Sequence, residues 1–573
     1  MKIKHYFGLA VIAAMTASCS SNEDLGTAGS GTGTNEAGVG YASFTINLPT
    51  TSGTRAGDPT FEAGDPKEYD VNDATLLIFK EAGSSENEYT FVESVNLGSM
   101  APWKDPSEPG VTTHAKITAK LNQINTTEKF YALVLLNNGT ESSKKVDLPE
   151  DNQTFSAWNE ATENVTDKIA KTDDGFYMAN APLYKGGKVT TLVPIESSKI
   201  YPTEAQAASN PSTDIYVERG LAKVTVTSAS KATKTIADGT YKDDKVTIQD
   251  WVLDVTNKKS FPVHKTDGTG YDDIWSNTAT PEGTANHATT LRFVDNNTTT
   301  VAKRVYWGVD PNYNIAKLNA VTTEGKTART DNFNYVGKDK LTATTFPSDA
   351  QYCLENTFNL DNMMQGQTTR VVFKAKYVPK GFTDGATFYM VGKNTAIWTE
   401  DNLKNEIVAA VTKVVASATS TNTTVDLTAA AGGNDITKAG NHLLKLGNIS
   451  VTGVTLQQSD IDAINAKLGL KEGEGISTYQ NAEAYYIARV KHFGGLTPWA
   501  AGQSYGTDNL SFLGRYGVLR NNWYELTVDK VSGPGYPDVP DVKPNVPDDE
   551  NFKYISVSVK ILSWAKRTDT VDL

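Results

Sequence analysis

Apolar and polar residues alternate along much of the chain, most cleanly near its two ends. In "YASFTINLP", residues 41–49, Ala42, Phe44, Ile46 and Leu48 share one face and Ser43, Thr45 and Asn47 the other, with Pro49 closing the run. In residues 555–561, Ile555, Val557, Val559 and Ile561 share a face against Ser556, Ser558 and Lys560. Both patterns predict strands suited to a half-buried sheet position. Between them "DATLLIF", "KFYALVLL", "AKVTVTSA", "RVYWGV", "RVVFKAKYV", "ATFYMV", "AEAYYIARVKHF" and "WYELTV" also read as strands, separated by Asn/Gly/Asp turns. The expected fold is mainly β, with tandem sandwich-like domains.

A few helices interrupt. Residues 401–417 place Leu403, Ile407, Val411 and Val414 on one stripe. "SDIDAINAKLG" predicts a helix capped by Ser459, boxed by Asp462 and ended at Gly469. Both stripes are read as core-facing. The polar stretch "YPTEAQAASNPSTDIY", 201–216, marks a domain boundary. The expected organisation is a leader, 1–18; a propeptide, 19–55, with linker and strand 41–48; an N-terminal β domain, 56–210; a C-terminal β domain, 211–532; a tether, 533–550; and a last strand with its tail, 551–573.

Length and composition allow this. The 573 residues suffice for two to four domains, and 39% hydrophobic with 21% charged residues can build real cores. A net charge of −13 leaves no basic surplus to neutralise phosphates, which argues against nucleic acid as a partner. The two cysteines, Cys19 and Cys353, define neither a disulfide framework nor a zinc site. Cys353, in "YCLENTFNL", is expected to pack as a small apolar residue.

The first residues are an address label. Lys2 and Lys4 precede the apolar run Phe7–Met15, a secretory signal to be set aside from fold reasoning. "MTASC" resembles a lipobox, which makes Cys19 the lipidated first residue after signal cleavage; an ordinary cut near Ala17 or Ser18 is the alternative. Residues 20–40 read as a polar spacer, and "GSGTGTNEAG" within it as linker rather than phosphate loop. After strand 41–48 comes a loop holding Arg55, the one basic residue between Lys4 and Lys67. A lone arginine in an exposed Gly/Thr/Pro-rich loop suits an Arg-specific protease. Cutting there leaves the strand held by noncovalent contacts alone.

Catalytic constellations do not emerge. The six histidines have no metal-ligand spacing, and H-E-x-x-H and G-x-S-x-G do not occur. Asp243/Asp244 and Asp272/Asp273 are read as solvated turn carboxylates rather than a hydrolytic pair. "PDVPDVKPNVPDDEN" does not carry the Gly and Glu pattern of a calcium loop and is read as an extended acidic leash. The prolines of the tether 533–550, Pro534, Pro537, Pro540, Pro544 and Pro547, favour reach over tight return. A strand lost at one end and a tethered strand at the other suggest an exchange between copies, and a heterologous contact that does not close makes a filament.

"GRYGVLRNNWYELTVDKVSGPG", 514–535, resembles the closing signature of Bacteroidales fimbrillins, with Arg515, Tyr516, Gly517, Val518, Arg520, Asn521 and Tyr524, followed by Trp564 and the ending Val571, Asp572, Leu573. "VERGLAKVTV" and "YCLENT" are similar to family features. The nearest resemblance is to the shaft subunit of short fimbriae, the type V pili. It implies two transthyretin-like sandwich domains and no enzyme activity or cofactor. It further implies a palmitate-bearing lipoprotein precursor at the outer membrane and maturation by an Arg-specific protease between Arg55 and Ala56. Assembly then proceeds by donor-strand exchange through residues 555–562, with Ile555, Val557, Val559 and Ile561 as donor side chains. The implied partners are other copies of the chain and accessory, tip and anchor subunits, in a fimbrium supporting adhesion and biofilm formation. Two alternatives stand beside it: a tip or accessory adhesin, and a surface glycan-binding lipoprotein using Trp103, Trp158, Trp398 or Trp499.

Overall fold

The computed structural model describes residues 31–49, 65–100, 111–140, 143–160, 168–185, 188–266, 303–305, 307–343, 346–347, 349–428, 432–492, 514–548 and 554–563. Within them the chain is mainly β. The first domain is built on one sheet. Its strands are β1 (Gly40–Pro49), β2 (Ala74–Lys80), β3 (Thr90–Gly98), β4 (Val111–Leu121), β5 (Phe130–Leu136), β6 (Met178–Asn180) and β7 (Thr213–Arg219). They are ordered β3-β2-β5-β6-β7-β1-β4, with Val193–Ile195 added beside β5. Glu93 on β3 accepts hydrogen bonds from the backbone N–H groups of Asn122 and Gln123, just past β4, at 2.9–3.1 Å. The two edges of the sheet therefore meet around a core that includes Phe44, Ile46, Leu76, Phe79, Leu133 and Trp158.

The second domain opens on β8 (Leu221–Val226). It continues with β9 (Lys245–Asp254), β10 (Gln351–Leu354), β11 (Arg370–Val378), β12 (Phe388–Val391), β13 (Ile476–Tyr479), β14 (Glu483–Arg489), β15 (Asn522–Val531) and β16 (Ile555–Ser563). One four-stranded sheet runs β10-β8-β15-β16, and a second holds β9, β11 and β14 in that order, with Lys234–Thr235 beside β9. The sheets share a core of Val224, Trp251, Phe373, Tyr486 and Tyr524, the face-to-face packing of a sandwich.

Sheet membership moves the expected boundary. Residues 213–219 still pair with β1 and β6, so the expected division after residue 210 falls early and the chain changes sheets at Gly220. The expected strand "RVYWGV" is a second difference: Val305, Trp307 and Val309 are buried, yet only Lys303–Arg304 joins a ladder. Alternation there reports burial more than pairing: beyond Arg304, Val309 makes an isolated bridge to Lys265.

Residues 388–479 form an insertion between β11 and β14 with its own core. Its helices, α1 (Glu400–Val414) and α2 (Gln458–Lys467), pack Leu403, Ile407, Val411, Ile461 and Ile464 inward, as the stripes predicted; Val414 is half-buried. The cap of α2 differs from expectation. The N-cap is Gln457, whose N–H donates to Asp460 Oδ2 at 2.8 Å; Ser459 and Asp462 lie inside the helix. Gly469 follows the helix with φ +72°, the left-handed conformation that ends helices.

Candidate functional site

The strand predicted to be releasable is an inner strand. β1 lies between β7, parallel to it, and β4, antiparallel. Ala42, Phe44, Ile46 and Leu48 are all buried, as the alternation predicted. The polar face is covered as well. A short helix, Glu204–Ser209, crosses it, and Ser43 Oγ donates to Ala207 O at 2.8 Å while meeting Thr118 Oγ1 at 2.8 Å. Burying Phe44, Ile46 and Leu48 contributes about 1.5–3 kcal/mol each. Without β1, β4 loses its ladder partner and β7 its pairing at Thr213–Tyr216, leaving a slot with two unpaired edges. Ahead of β1, Gly33 N–H donates to Ile200 O at 2.7 Å.

The last strand is placed very differently. β16 is the edge of its sheet, antiparallel to β15. Ile561, Val559, Val557 and Ile555 lie opposite Tyr524, Leu526, Val528 and Val531. Only Ile555 is buried, at 6% exposure; Val557, Val559 and Ile561 are half-buried. In the single chain, then, the tail folds back onto its own domain, through one ladder and with incomplete burial.

The Pro/Asp-rich segment is extended as expected, yet it is docked rather than free. Ser532 N–H donates to Tyr554 O at 2.8 Å, so the segment leaves and returns at one place. Between these points Tyr536 exchanges two backbone hydrogen bonds with Tyr485, both 2.8 Å. Arg370 Nη2 donates to Pro540 O at 2.7 Å, and Gln365 N–H to Val546 O at 2.9 Å. The excursion ends at Asp548, which is fully buried; its N–H donates to Met363 O at 3.1 Å and its Oδ2 accepts from Thr368 Oγ1 at 2.9 Å. Gly366 permits the close passage, since a Cβ there would stand 2.9 Å from Pro544 Cα.

The signature residues are buried and hold the two domains together. Asn521 Oδ1 accepts from Arg219 N–H at 3.3 Å, and Asn521 N–H donates to Leu221 O at 2.7 Å. Asn521 does so at φ +58°. Arg219 Nε donates in turn to Glu68 O at 2.6 Å. The Glu68 carboxylate, fully buried, takes the Lys223 ammonium at 2.8 Å and a hydrogen bond from Tyr352 OH. Arg520 Nη2 donates to Ser260 Oγ at 2.9 Å, and Arg520 N–H to Glu355 Oε2 at 3.2 Å. Tyr524 OH lies 2.7 Å from His492 Nδ1 and accepts from Leu519 N–H at 2.8 Å. Gly517 adopts φ +130° where a Cβ would meet Asn356 O. Arg515 and Tyr516 are buried beside this cluster.

At its centre His264 sits between Glu218, 3.0 Å from Nδ1, and Glu355, 3.3 Å from Nε2. Burial opposes its protonation, but the two carboxylates outweigh burial and push the imidazole up to about 9. Burial likewise opposes ionisation of Glu355, and His264 with Arg520 hold it down at about 2.

Cys19, Arg55, Ala56, Trp103, Trp499, Asp272, Asp273 and Trp564 lie outside the described residues. Trp158 is a core residue at 3% exposure, and Trp398 packs half-buried against the inserted core. Neither forms an open sugar platform. Cys353 is buried in the sandwich, and burial pushes its thiol up to about 12. Of the acidic pair, Asp243 is the solvated turn residue expected, paired with Lys380 at 2.8 Å. Asp244 is not: it is buried and accepts from Tyr377 OH and Lys380 N–H. Among the described residues no cluster of His, Cys, Asp and Glu is arranged to hold a metal ion, and no helix is long and apolar enough to cross a membrane.

The sequence reading missed Glu68, Arg219, His264 and Asp548. Each is a charged or titratable residue whose importance depends on partners far along the chain.

Residues 477–570 match the family "Major fimbrial subunit protein type IV, Fimbrillin, C-terminal". No curated protein matches the chain by sequence. Among solved structures, it is similar to a candidate cell-adhesion protein of Parabacteroides distasonis ATCC 8503, at 12% identity and TM-score 0.38, over 92% of this chain and 98% of that one. A candidate cell-adhesion protein of Bacteroides eggerthii DSM 20697 follows at 13% and 0.34, over 91% and 96%. The tip fimbrial protein Mfa3 of Porphyromonas gingivalis, with a C-terminal truncation, gives 10% and 0.29, over 91% and 100%.

Proposed function

We propose, from a chain whose residues 477–570 match the C-terminal fimbrillin family, that this protein is the shaft subunit of a cell-surface fimbrium. Its precursor is a lipoprotein anchored through Cys19 and cut after Arg55 by an Arg-specific protease. The subunit then polymerises when β16 of one copy fills the slot that β1 leaves in the next. One observation carries this reading: an inner strand of the first sheet, with its whole apolar face buried, lies upstream of the proposed cut site. A strand so placed completes the precursor and is lost with the propeptide. The chain beyond the cut stays tied down, because Glu68 is locked by Arg219, Lys223 and Tyr352.

The energetics favour transfer. At home β16 pairs on one side with three of four apolar side chains half-buried. In the β1 slot it would pair on both sides under full cover. The gain in apolar burial and in ladder hydrogen bonds offsets the ordering of the tail, and the strand's many simultaneous bonds give slow dissociation. A tip subunit has no further copy to donate to, so a terminal donor strand favours the shaft; adhesion and biofilm formation follow from the filament.

The test is maturation in vitro. Purified precursor treated with an Arg-specific protease forms SDS-resistant ladders, R55A forms none, and a chain lacking residues 551–573 stays monomeric after the cut. Ladders from either variant would reject the scheme.

A further inference from the structure

We infer that the vacated slot receives residues 554–561 of a second copy in the same direction as β1, in the register that places Ser556 on the Ser43 site. This rests on the exchange proposed above and adds its direction and register. The support is a position-by-position correspondence set against the geometry of the slot. β1 reads Tyr-Ala-Ser-Phe-Thr-Ile-Asn-Leu from Tyr41, and the tail reads Tyr-Ile-Ser-Val-Ser-Val-Lys-Ile from Tyr554. Apolar volume shifts along the strand, from Ala42 to Ile555 and from Phe44 to Val557, while its total changes little, a repacking that cores tolerate.

The polar face decides the direction, because the slot is not uniform along it. The Ser43 site is closed: the side chain is 1% exposed beneath the helix Glu204–Ser209, and its hydroxyl is satisfied by Ala207 O and Thr118 Oγ1. Thr45 is half-buried and bonded to Ser212 Oγ at 2.5 Å, and Asn47 is half-buried farther from the helix. The site thus asks for a small hydroxyl, then another hydroxyl, then a polar group near solvent. Ser556, Ser558 and Lys560 supply that order.

Other placements fail on a named residue. Reversing the strand puts Lys560 into the closed Ser43 site, beside the Lys116 ammonium that already sits on Ala208 O and Asn210 O at 3.0 Å each. A buried unpaired ammonium is strongly disfavoured. Sliding two residues one way puts Lys560 on the Thr45 site, directly opposite Lys116, and like charges across a ladder repel. Sliding two residues the other way forces Tyr554 under the helix.

Paired cysteines in the full chain, matured by Arg-specific protease and oxidised, separate the outcomes. Cys353 is buried and gives little background. Thr45 and Ser43 face Lys116 and Thr118 on β4. K116C with S558C therefore reports donation into the slot in either direction, since Ser558 takes the Thr45 site both ways. T118C with S556C reports the inferred direction, and T118C with K560C the reverse. The expected result is covalent ladders from the first two pairs and none from the third. Ladders from the first and third pairs alone overturn the inferred direction while donation stands. Absence of ladders from all three pairs overturns the inferred register, and donation itself then stands or falls with the protease-ladder assay of the uncrosslinked chain. As a second arm, S556K loses at least tenfold in ladder yield. Ser556 is exposed in the free chain, so the monomer's melting temperature is unchanged. Wild-type assembly by S556K overturns the inference.

Discussion

Phe44→Ala separates a precursor part from a filament part of the molecule. Phe44 is completely buried in β1, at the middle of the first sheet. Truncating a buried Phe to Ala costs about 3–5 kcal/mol, the sum of lost transfer energy and a cavity that neighbours fill incompletely. A domain typically has a stability of 5–15 kcal/mol, so the loss is large but survivable. In the precursor it appears as a lower denaturant midpoint for the first domain. After the cut it acts on how tightly β1 is held. If the loss falls wholly on dissociation, the propeptide leaves about a hundredfold or more faster, since ~1.4 kcal/mol is tenfold. In the filament residue 44 is gone, so the temperature at which polymers fall apart in SDS should equal that of wild type. The assays are urea unfolding of the precursor, release of the cut propeptide followed by gel filtration, and heated SDS gels of polymers. A filament from F44A that melts as low as its precursor would refute the reasoning, because β1 would then still be inside.

Three further outcomes follow. Asp548→Ala leaves the Thr368 hydroxyl without its buried carboxylate partner, at a cost of about 1–3 kcal/mol; amide exchange in residues 555–563 of the monomer should accelerate and assembly of cut subunits quicken, whereas unchanged exchange would mean that the docked segment does not restrain the donor. The His264 imidazole, raised to about 9 from its ordinary 6.5, contributes stability that is fully present below pH 6.5 and lost as pH rises through 9. The gap in unfolding free energy between wild type and H264Q should therefore shrink between pH 6.5 and 9.5, from a value on the order of 3 kcal/mol, and a constant gap would contradict that placement of charge. Asn521→Ala removes the side chain that accepts from Arg219 N–H; loosened coupling of the two domains should appear as two separated unfolding transitions, and a single unshifted transition would count against a junction role.

The parts legible in the sequence were those set by local pattern. β1 could be read from alternation because both its neighbours and its core face demand a period of two. α1 could be read because its apolar stripe is long, although its start behind the N-cap Thr399 and its end at Val414 were not. The docked course of residues 533–548 was not legible. Proline content states that a segment is extended, but whether it is pinned depends on Gly366, Thr368 and Arg370, far away in sequence. The cap of α2 was misplaced for a related reason: Ser459 and Asp462 satisfy the residue rule, while the real turn begins two residues earlier through Asp460. The inserted core of residues 388–479 escaped notice because its short strands and two helices look like interruptions until they are seen packing on one another. In the junction, nothing local marks Glu68 as buried, and "VERGLAKVTV" and "YCLENT" do not of themselves show that Glu218 and Glu355 meet around His264.

The central claim concerns which copy of a strand lies between β4 and β7 in assembled material. The most direct measurement is the intact mass and first residue of subunits recovered from filaments, after washing away peptide that is not covalently held. The account predicts a chain beginning at Ala56, with residues 40–49 gone and the slot nevertheless protected from amide exchange. Subunits that retain residues 40–49, with β16 still paired to its own β15, would contradict it.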